Sequence, residues 1–321
     1  MPLQFDPEFL KVFEPLIPLL SARPKLAVQD IRPSREGREA GLAVFFRRLP
    51  DSPDVEQTVY HADAPDGHQV PVYHFAKKSA SSEPGPGILH CHGGGMILGS
   101  VPVFSRAIAR LVSDSSVPIF SVDYRLAPEN SGTTLVEDCY ASLVWLYQNA
   151  QRLNIDPARI AVMGESAGGG LAAGVALIAR DRNLQPPLAK QILRYPMLDD
   201  QNSTAKEAID PFTMWKVEDN VTAWTAVLGD KAGKPDADVS PYAAPARAKS
   251  VAGLPPAYIE VGTLDIFRDE DITYATRLLA ENISTELHLY PGLPHGFEML
   301  APNIPASKRA HENRLNAIQS F

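Results

Sequence analysis

The first residue in this chain with the setting for chemistry is Ser166, within "MGESAGGG". Gly164-Glu165-Ser166-Ala167-Gly168 reads G-x-S-x-G. An apolar run with strand character, "IAVMGE", precedes it, and a small-residue run with helical character, "SAGGGLAAGVALIARDRN", follows. A serine on a sharp strand-to-helix turn needs glycine two positions to either side, where a side chain would strike neighbouring backbone. The helix that follows aims its N-terminus at the serine oxygen. A hydroxyl is a weak nucleophile until a base takes its proton, and the base needs an acid to orient it.

For a serine on such an elbow the partners follow in the order acid, then histidine. Of the eight histidines only His288, His295 and His311 lie after Ser166. His288 alternates within a strand pattern, and His311 sits in the polar helical stretch "KRAHENRLN". His295, in the Pro/Gly-rich loop "YPGLPHGF" after the last strand pattern, is the candidate base. The acid is expected at the end of the preceding strand, in "YIEVGTLDIFRDED". Asp265 comes first in that loop. Asp269, Glu270 and Asp271 open the next helix, where acidic residues are explained by the helix dipole. Asp265 is therefore the candidate orienter.

Serine attack on an ester carbonyl makes an oxyanion, which pre-aimed backbone N–H groups must hold. "HCHGGGMILG" puts Gly93, Gly94 and Gly95 directly after a buried strand pattern. Without a Cβ, such a loop can turn its amides into a cavity. The amide of Ala167, next to the serine, is the second donor source. A zinc reading of His90, Cys91 and His92 fails on geometry. In a strand His90 and His92 share one face and Cys91 takes the other, so no metal is expected.

These groups need a scaffold. After residue 54 short β-rich runs alternate with longer helical patterns, which predicts a mostly parallel sheet covered by helices. Eight strands are expected, starting at Val55, Gln69, Gly87, Val117, Ile160, Lys190, Ala257 and Thr285. The first two, joined by the turn-forming "DAPDG", read as an antiparallel edge hairpin. The helical stretch "VEDCYASLVWLYQNAQRL" carries Val136, Tyr140, Leu143, Val144 and Tyr147 on one face. Two segments fall outside the alternation. Residues 1–50 carry Phe9, Leu10, Phe13, Ile17 and Leu20 as an amphipathic stripe, and residues 200–250 form an insert with Trp215 and Trp224. Inserts at the C-terminal ends of sheet strands are where such folds place ligands, so both read as parts of a cap over a catalytic domain of residues 51–321.

Composition excludes other classes. The chain has 321 residues and a net charge of −8, with no dense basic run, which argues against a nucleic-acid partner. Two cysteines, each in an apolar pattern, read as buried thiols. The start "MPLQFDPEFLKVFEPLIPLL" lacks a basic region, and Glu14, Pro15 and Pro18 break its apolar run. It predicts neither a signal peptide nor a membrane span, hence a cytoplasmic protein. A homodimer is compatible with the sequence and not required by it.

The chain resembles the hormone-sensitive lipase family of α/β-hydrolases, the bacterial family IV type. His92-Gly93-Gly94-Gly95 resembles that family's oxyanion motif, and "GESAGGG" its Gly-Asp-Ser-Ala-Gly elbow. "DYRLAPE" from Asp123, "VSPYAAP", "LPPAYIEVGTLDIFRDE" and "HGF" continue the likeness in order over roughly residues 50–300. The resemblance implies an α/β-hydrolase fold with a helical cap and no metal or organic cofactor. It implies Ser166 as nucleophile, His295 as base and Asp265 as orienter, with Gly94, Gly95 and Ala167 as oxyanion donors. Two departures stand out. Position 165 is Glu where Asp or Thr is usual, a side chain expected to support the turn, and "NSGTTLVED" replaces the Pro-rich continuation after "DYRLAPE". The expected activity is hydrolysis of short to medium acyl esters, with Phe212, Met214, Trp215 and Trp224 of the insert lining the substrate pocket. Lactone opening or acyl transfer would use the same residues. A receptor-like binding module, as in the gibberellin receptors that resemble this family but lack the histidine, is disfavoured because His295 is present.

Overall fold

Eight strands form one sheet in the order β1-β2-β4-β3-β5-β6-β7-β8. The computed structural model describes residues 3–18, 26–79 and 83–321. β1 (Val55–Asp63) and β2 (Gln69–Lys77) make the expected antiparallel hairpin, registered from Val55 opposite Lys77 to Asp63 opposite Gln69, with β1 at the sheet edge. β2 also pairs antiparallel with β4 (Ile119–Val122). From there the sheet is parallel through β3 (Gly85–Cys91), β5 (Ile155–Glu165), β6 (Lys190–Arg194), β7 (Ala257–Gly262) and β8 (Thr285–Tyr290). Every residue of β4 and β7 is buried. Burial along their whole length, with only Ser121 and Glu260 polar, is what a sheet covered on both faces demands.

Three strand starts differ from expectation. β3 begins at Gly85, two residues before Gly87. β4 starts at Ile119 because Pro118 has no N–H for the ladder. β5 starts five residues before Ile160, since Ile155 pairs with Gly85 across an irregularity in the register. Helix 134–149 buries Val136, Tyr140 and Leu143 as expected, together with Leu135, Cys139 and Leu146; Val144 and Tyr147 are only half-buried.

The chain order sets the site. β3 lies between β4 and β5, so the path leaves β3 to one side and returns on the other. The crevice beyond the C-terminal ends of β3 and β5 is therefore the topological switch point, where open α/β sheets bind ligands. Gly93–Gly95 follow β3, Ser166 follows β5, Asp265 follows β7 and His295 follows β8.

Helix α1 (Pro7–Phe13) begins at Asp6, whose carboxylate accepts the N–H groups of Glu8 at 2.9 Å and Phe9 at 3.0 Å. It buries Phe9 and Phe13 against Phe45, Tyr290 and Phe297. The longer stripe read from the sequence is shorter in the structure. Leu10 and Ile17 are each 37% exposed: Leu10 lies off the Phe9–Phe13 row of this short helix, Ile17 lies beyond its end, and Leu20 lies outside the described residues. Helix α2 (Ile31–Phe46) completes the N-terminal segment. Within the 200–250 insert, Val217–Leu228 is the main helix. Asp200 and Arg247 pair bidentately at 2.6 and 2.8 Å across the base of the insert, and Asp200 also accepts the Gly233 N–H at 2.9 Å. Among the described residues no helix is long and apolar enough to cross a membrane.

Candidate active site

Ser166 stands at the N-cap of the helix Ala167–Asp181 with φ 56° and ψ −124°, a strained conformation for a residue with a side chain. The two flanking glycines are what allow it. A Cβ on Gly164 would lie 2.1 Å from the Gly168 carbonyl oxygen, and one on Gly168 would lie 2.0 Å from that of Cys91. The G-x-S-x-G spacing is thus a packing requirement of strand, turn and helix at closest approach.

Three distant loops meet at this serine. His295 Nε2 lies 3.0 Å from Ser166 Oγ, and His295 Nδ1 lies 2.7 Å from Asp265 Oδ2. Asp265 is fully buried, and its other oxygen accepts the Phe267 N–H at 3.0 Å, which fixes the carboxylate plane. Edges of Tyr195 and Phe267 hold the imidazole at ring distances of 4.5 and 5.2 Å. Tyr195 itself takes φ 36°, just after β6, to reach that position. An imidazole so placed can accept the serine proton, and a buried carboxylate behind it favours the cation that results. His288 and His311 are elsewhere, paired with Glu286 at 2.6 Å and Asp114 at 2.7 Å. Asp269 is at the surface with Arg268 and Lys206, so it does not compete with Asp265.

The glycine loop faces the serine. Gly94 and Gly95 take φ 125° and 63°, and a Cβ on Gly94 would strike the Leu98 carbonyl at 2.0 Å. Among the described residues none accepts a hydrogen bond from the amides of Gly94, Gly95 or Ala167. Donors in that state can hold an oxyanion. The Gly93 amide is already committed: it donates to Glu165 Oε1 at 3.0 Å.

Glu165 does more than support its turn. Its second oxygen meets His90 Nε2 at 2.9 Å and Arg194 Nη1 at 3.4 Å, and His90 Nδ1 meets Ser121 Oγ at 2.9 Å. Burial opposes the Glu165 charge, but His90 and Arg194 outweigh it and hold the carboxyl at a pKa of about 2. Arg194 further bonds Glu298, and Arg314 bonds Glu260, so an ion cluster underlies the histidine loop. Sequence reasoning found none of these pairings. The one visible signal was a string of charged residues inside otherwise apolar strands, such as Glu165, Arg194 and Glu260.

A cavity of about 900 Å³ opens on Ser166, His295 and the three glycines. Phe212, Met214 and Trp215 line it, as do Phe5 and Phe13 from the N-terminal segment. The Trp215 ring rests on the glycine loop, 2.7 Å from where a Gly95 Cβ would be. Trp224 does not line the cavity. It is 1% exposed within the main core, on the helix face with Val217, Asn220, Ala223 and Val227. The expectation for that tryptophan is corrected by the helical spacing of its own segment.

Comparison with known proteins agrees with this geometry. A family model for the alpha/beta hydrolase fold matches residues 88–299. The chain is 32% identical to esterase LipI of Mycobacterium tuberculosis over 303 residues, covering 92% of this chain and 93% of that one. It is 35% identical to carboxylesterase NlhH of the same organism over 246 residues, 73% of each chain. Among solved structures, a bacterial heroin esterase superposes with a TM-score of 0.88 at 36% identity, covering 98% of this chain and 97% of the other. The chain belongs to the hormone-sensitive lipase type of the α/β-hydrolase family.

Proposed function

We propose that this protein is a serine carboxylesterase that hydrolyses short to medium acyl esters through an acyl-enzyme. The reading rests on one observation: Ser166, His295 and Asp265 form an unbroken hydrogen-bonded line beside three uncommitted amides. Ser166 Oγ attacks the ester carbonyl carbon while His295 Nε2 takes its proton. The oxyanion is held by the amides of Gly94, Gly95 and Ala167. Collapse breaks the bond to the leaving oxygen, which receives the proton from His295 and departs as the alcohol. Water then gives its proton to His295, attacks the acyl carbon, and releases the carboxylic acid as the proton returns to Ser166. Asp265 keeps the imidazole oriented through both halves.

Chain length follows from the cavity walls. Each methylene placed against Phe212, Met214 and Trp215 contributes about 0.8 kcal/mol until the space is full. Longer chains must then bend or protrude, so efficiency is expected to rise and then fall with acyl length. Lactone opening would use the same residues and water, with the leaving alcohol still tethered to the acyl group; acyl transfer would use the same residues and differ in the nucleophile that ends the cycle. The test is a series of p-nitrophenyl esters of increasing acyl length with wild type and Ser166→Ala. A maximum at short to medium chains, abolished in the variant, supports the reading. A preference for long-chain emulsions would overturn the chain-length part.

A further inference from the structure

The loop that carries the proposed oxyanion donors runs through left-handed backbone that glycine adopts freely and Met96 does not. Gly94, Gly95, Met96 and Gly99 all have φ between 63° and 125°, and Met96 has a side chain to accommodate there. Such a run persists only where the surroundings over-determine it. The core supplies part of the restraint: Glu165 accepts the Gly93 N–H, Tyr124 Oη donates to the His92 carbonyl at 2.7 Å, and Ala127 N–H donates to the Met96 carbonyl at 2.9 Å.

The rest comes from helix α2 of the N-terminal segment. Arg35 Nε donates to the Ile97 carbonyl at 2.9 Å, and its Nη2 donates to the Ala127 carbonyl at 2.9 Å. The same guanidinium grips Glu129 bidentately, both contacts at 2.8 Å. One turn along the same helix face, Glu39 Oε1 accepts the Gly99 N–H at 2.8 Å. Arg35 and Glu129 are partly exposed, so their charge attraction is worth little by itself. What the fork supplies is geometry, since a planar guanidinium fixes two carbonyls and a carboxylate at once. These contacts bracket the far end of the loop whose near end holds Gly94 and Gly95.

We propose that Arg35 and Glu39 are positioning residues for the oxyanion hole, so that docking of helix α2 completes the catalytic centre as well as covering it. The proposal rests on the reading of Gly94 and Gly95 as oxyanion donors. It assigns the N-terminal segment a part in transition-state stabilisation, beyond shaping the pocket.

The test uses the full chain and variants Arg35→Met, Arg35→Lys, Glu39→Ala and Glu39→Gln. Three quantities are read: the fraction of serine titratable by an organophosphate, kcat and KM per titrated site with a small acetate ester, and Ki of a trifluoromethyl ketone. That ketone adds Ser166 Oγ to its carbonyl carbon, and the resulting oxyanion occupies the same hole. Displacing oxyanion donors costs on the order of 10- to 100-fold in rate. Arg35→Met and Glu39→Ala are expected to lose at least about tenfold in kcat per titrated site, with KM changed less than about threefold. Ki should rise by the same factor as kcat/KM falls. Arg35→Lys should not restore activity, because it lacks the fork, whereas Glu39→Gln keeps an acceptor for Gly99 and should stay near wild type. A purely structural role predicts fewer titratable sites with unchanged kcat per site, and that result overturns the proposal. So does a loss confined to KM. If Arg35→Met fails to fold, the Glu39→Ala and Glu39→Gln pair decides by the same criteria. Wild type that neither titrates at Ser166 nor binds the ketone would refute the underlying reading of the site instead.

Discussion

Replacing Glu165 by Gln removes one buried negative charge beside the site while keeping nearly the same shape. In the folded protein the Glu165 carboxyl titrates at about 2, against an ordinary 4.5. Its folded value is the lower one, so the ionised group adds stability above pH 4.5 and loses that contribution as pH falls towards 2. The difference corresponds to about 3 kcal/mol at neutral pH and to roughly half of that at pH 3. Glutamine can still accept the Gly93 N–H but no longer balances the Arg194 charge. Arg194 keeps Glu260 and Glu298 as partners, which limits the cost to about this linkage value and spares the larger penalty of a stranded buried charge. Urea unfolding followed by tryptophan fluorescence, at pH 7, 5 and 3, measures the gap between wild type and variant. The expected gap is about 3 kcal/mol at pH 7 and shrinks by roughly half at pH 3. A gap that is absent at pH 7, or that stays constant with pH, would refute the charge-based account of this cluster.

Gly164→Ala places a methyl 2.1 Å from the Gly168 carbonyl, so the elbow must open; both soluble yield and activity are expected to collapse, read by expression and ester turnover. Trp224→Ala empties a core position and should cost about 3–5 kcal/mol of stability with the acyl-length optimum unchanged. Trp215→Ala instead uncovers Gly95 and should shift that optimum with a smaller loss in melting temperature; the reverse pattern would contradict their placements. Asp265→Asn should lower kcat by about ten-thousandfold through the wrong imidazole tautomer, whereas Asp269→Asn should stay within a few-fold of wild type.

Much of the fold was legible because local patterns carried it. The "DAPDG" turn fixed the hairpin, and the glycines around Ser166 fixed the elbow, each within a few residues of sequence. The partners of the proposed triad could be read because each sits on the loop after its own strand, and strand order along the chain orders the loops as well. Long-range pairings were not legible. Glu165 meets Gly93 from 72 residues away, and Arg35 meets Ile97 from 62. Nothing in either segment names the other, and only the placement of β3 beside β5 brings the first pair together. Trp224 is a different case, since its spacing with Val217, Asn220 and Val227 already marks it as inward-facing on a helix. Trp215 precedes that helix and has no periodicity to place it; its position emerges only from contact with Gly95.

The central claim is that Ser166 is the nucleophile of an ester hydrolase. Inactivation with a diethyl organophosphate followed by peptide mass mapping tests it most directly. The account predicts one adduct per chain, on the peptide carrying Ser166, with activity lost in proportion to labelling, and no adduct or esterase activity in Ser166→Ala. An adduct on another serine that tracks the loss of activity, or a Ser166→Ala variant within tenfold of wild type, would contradict it.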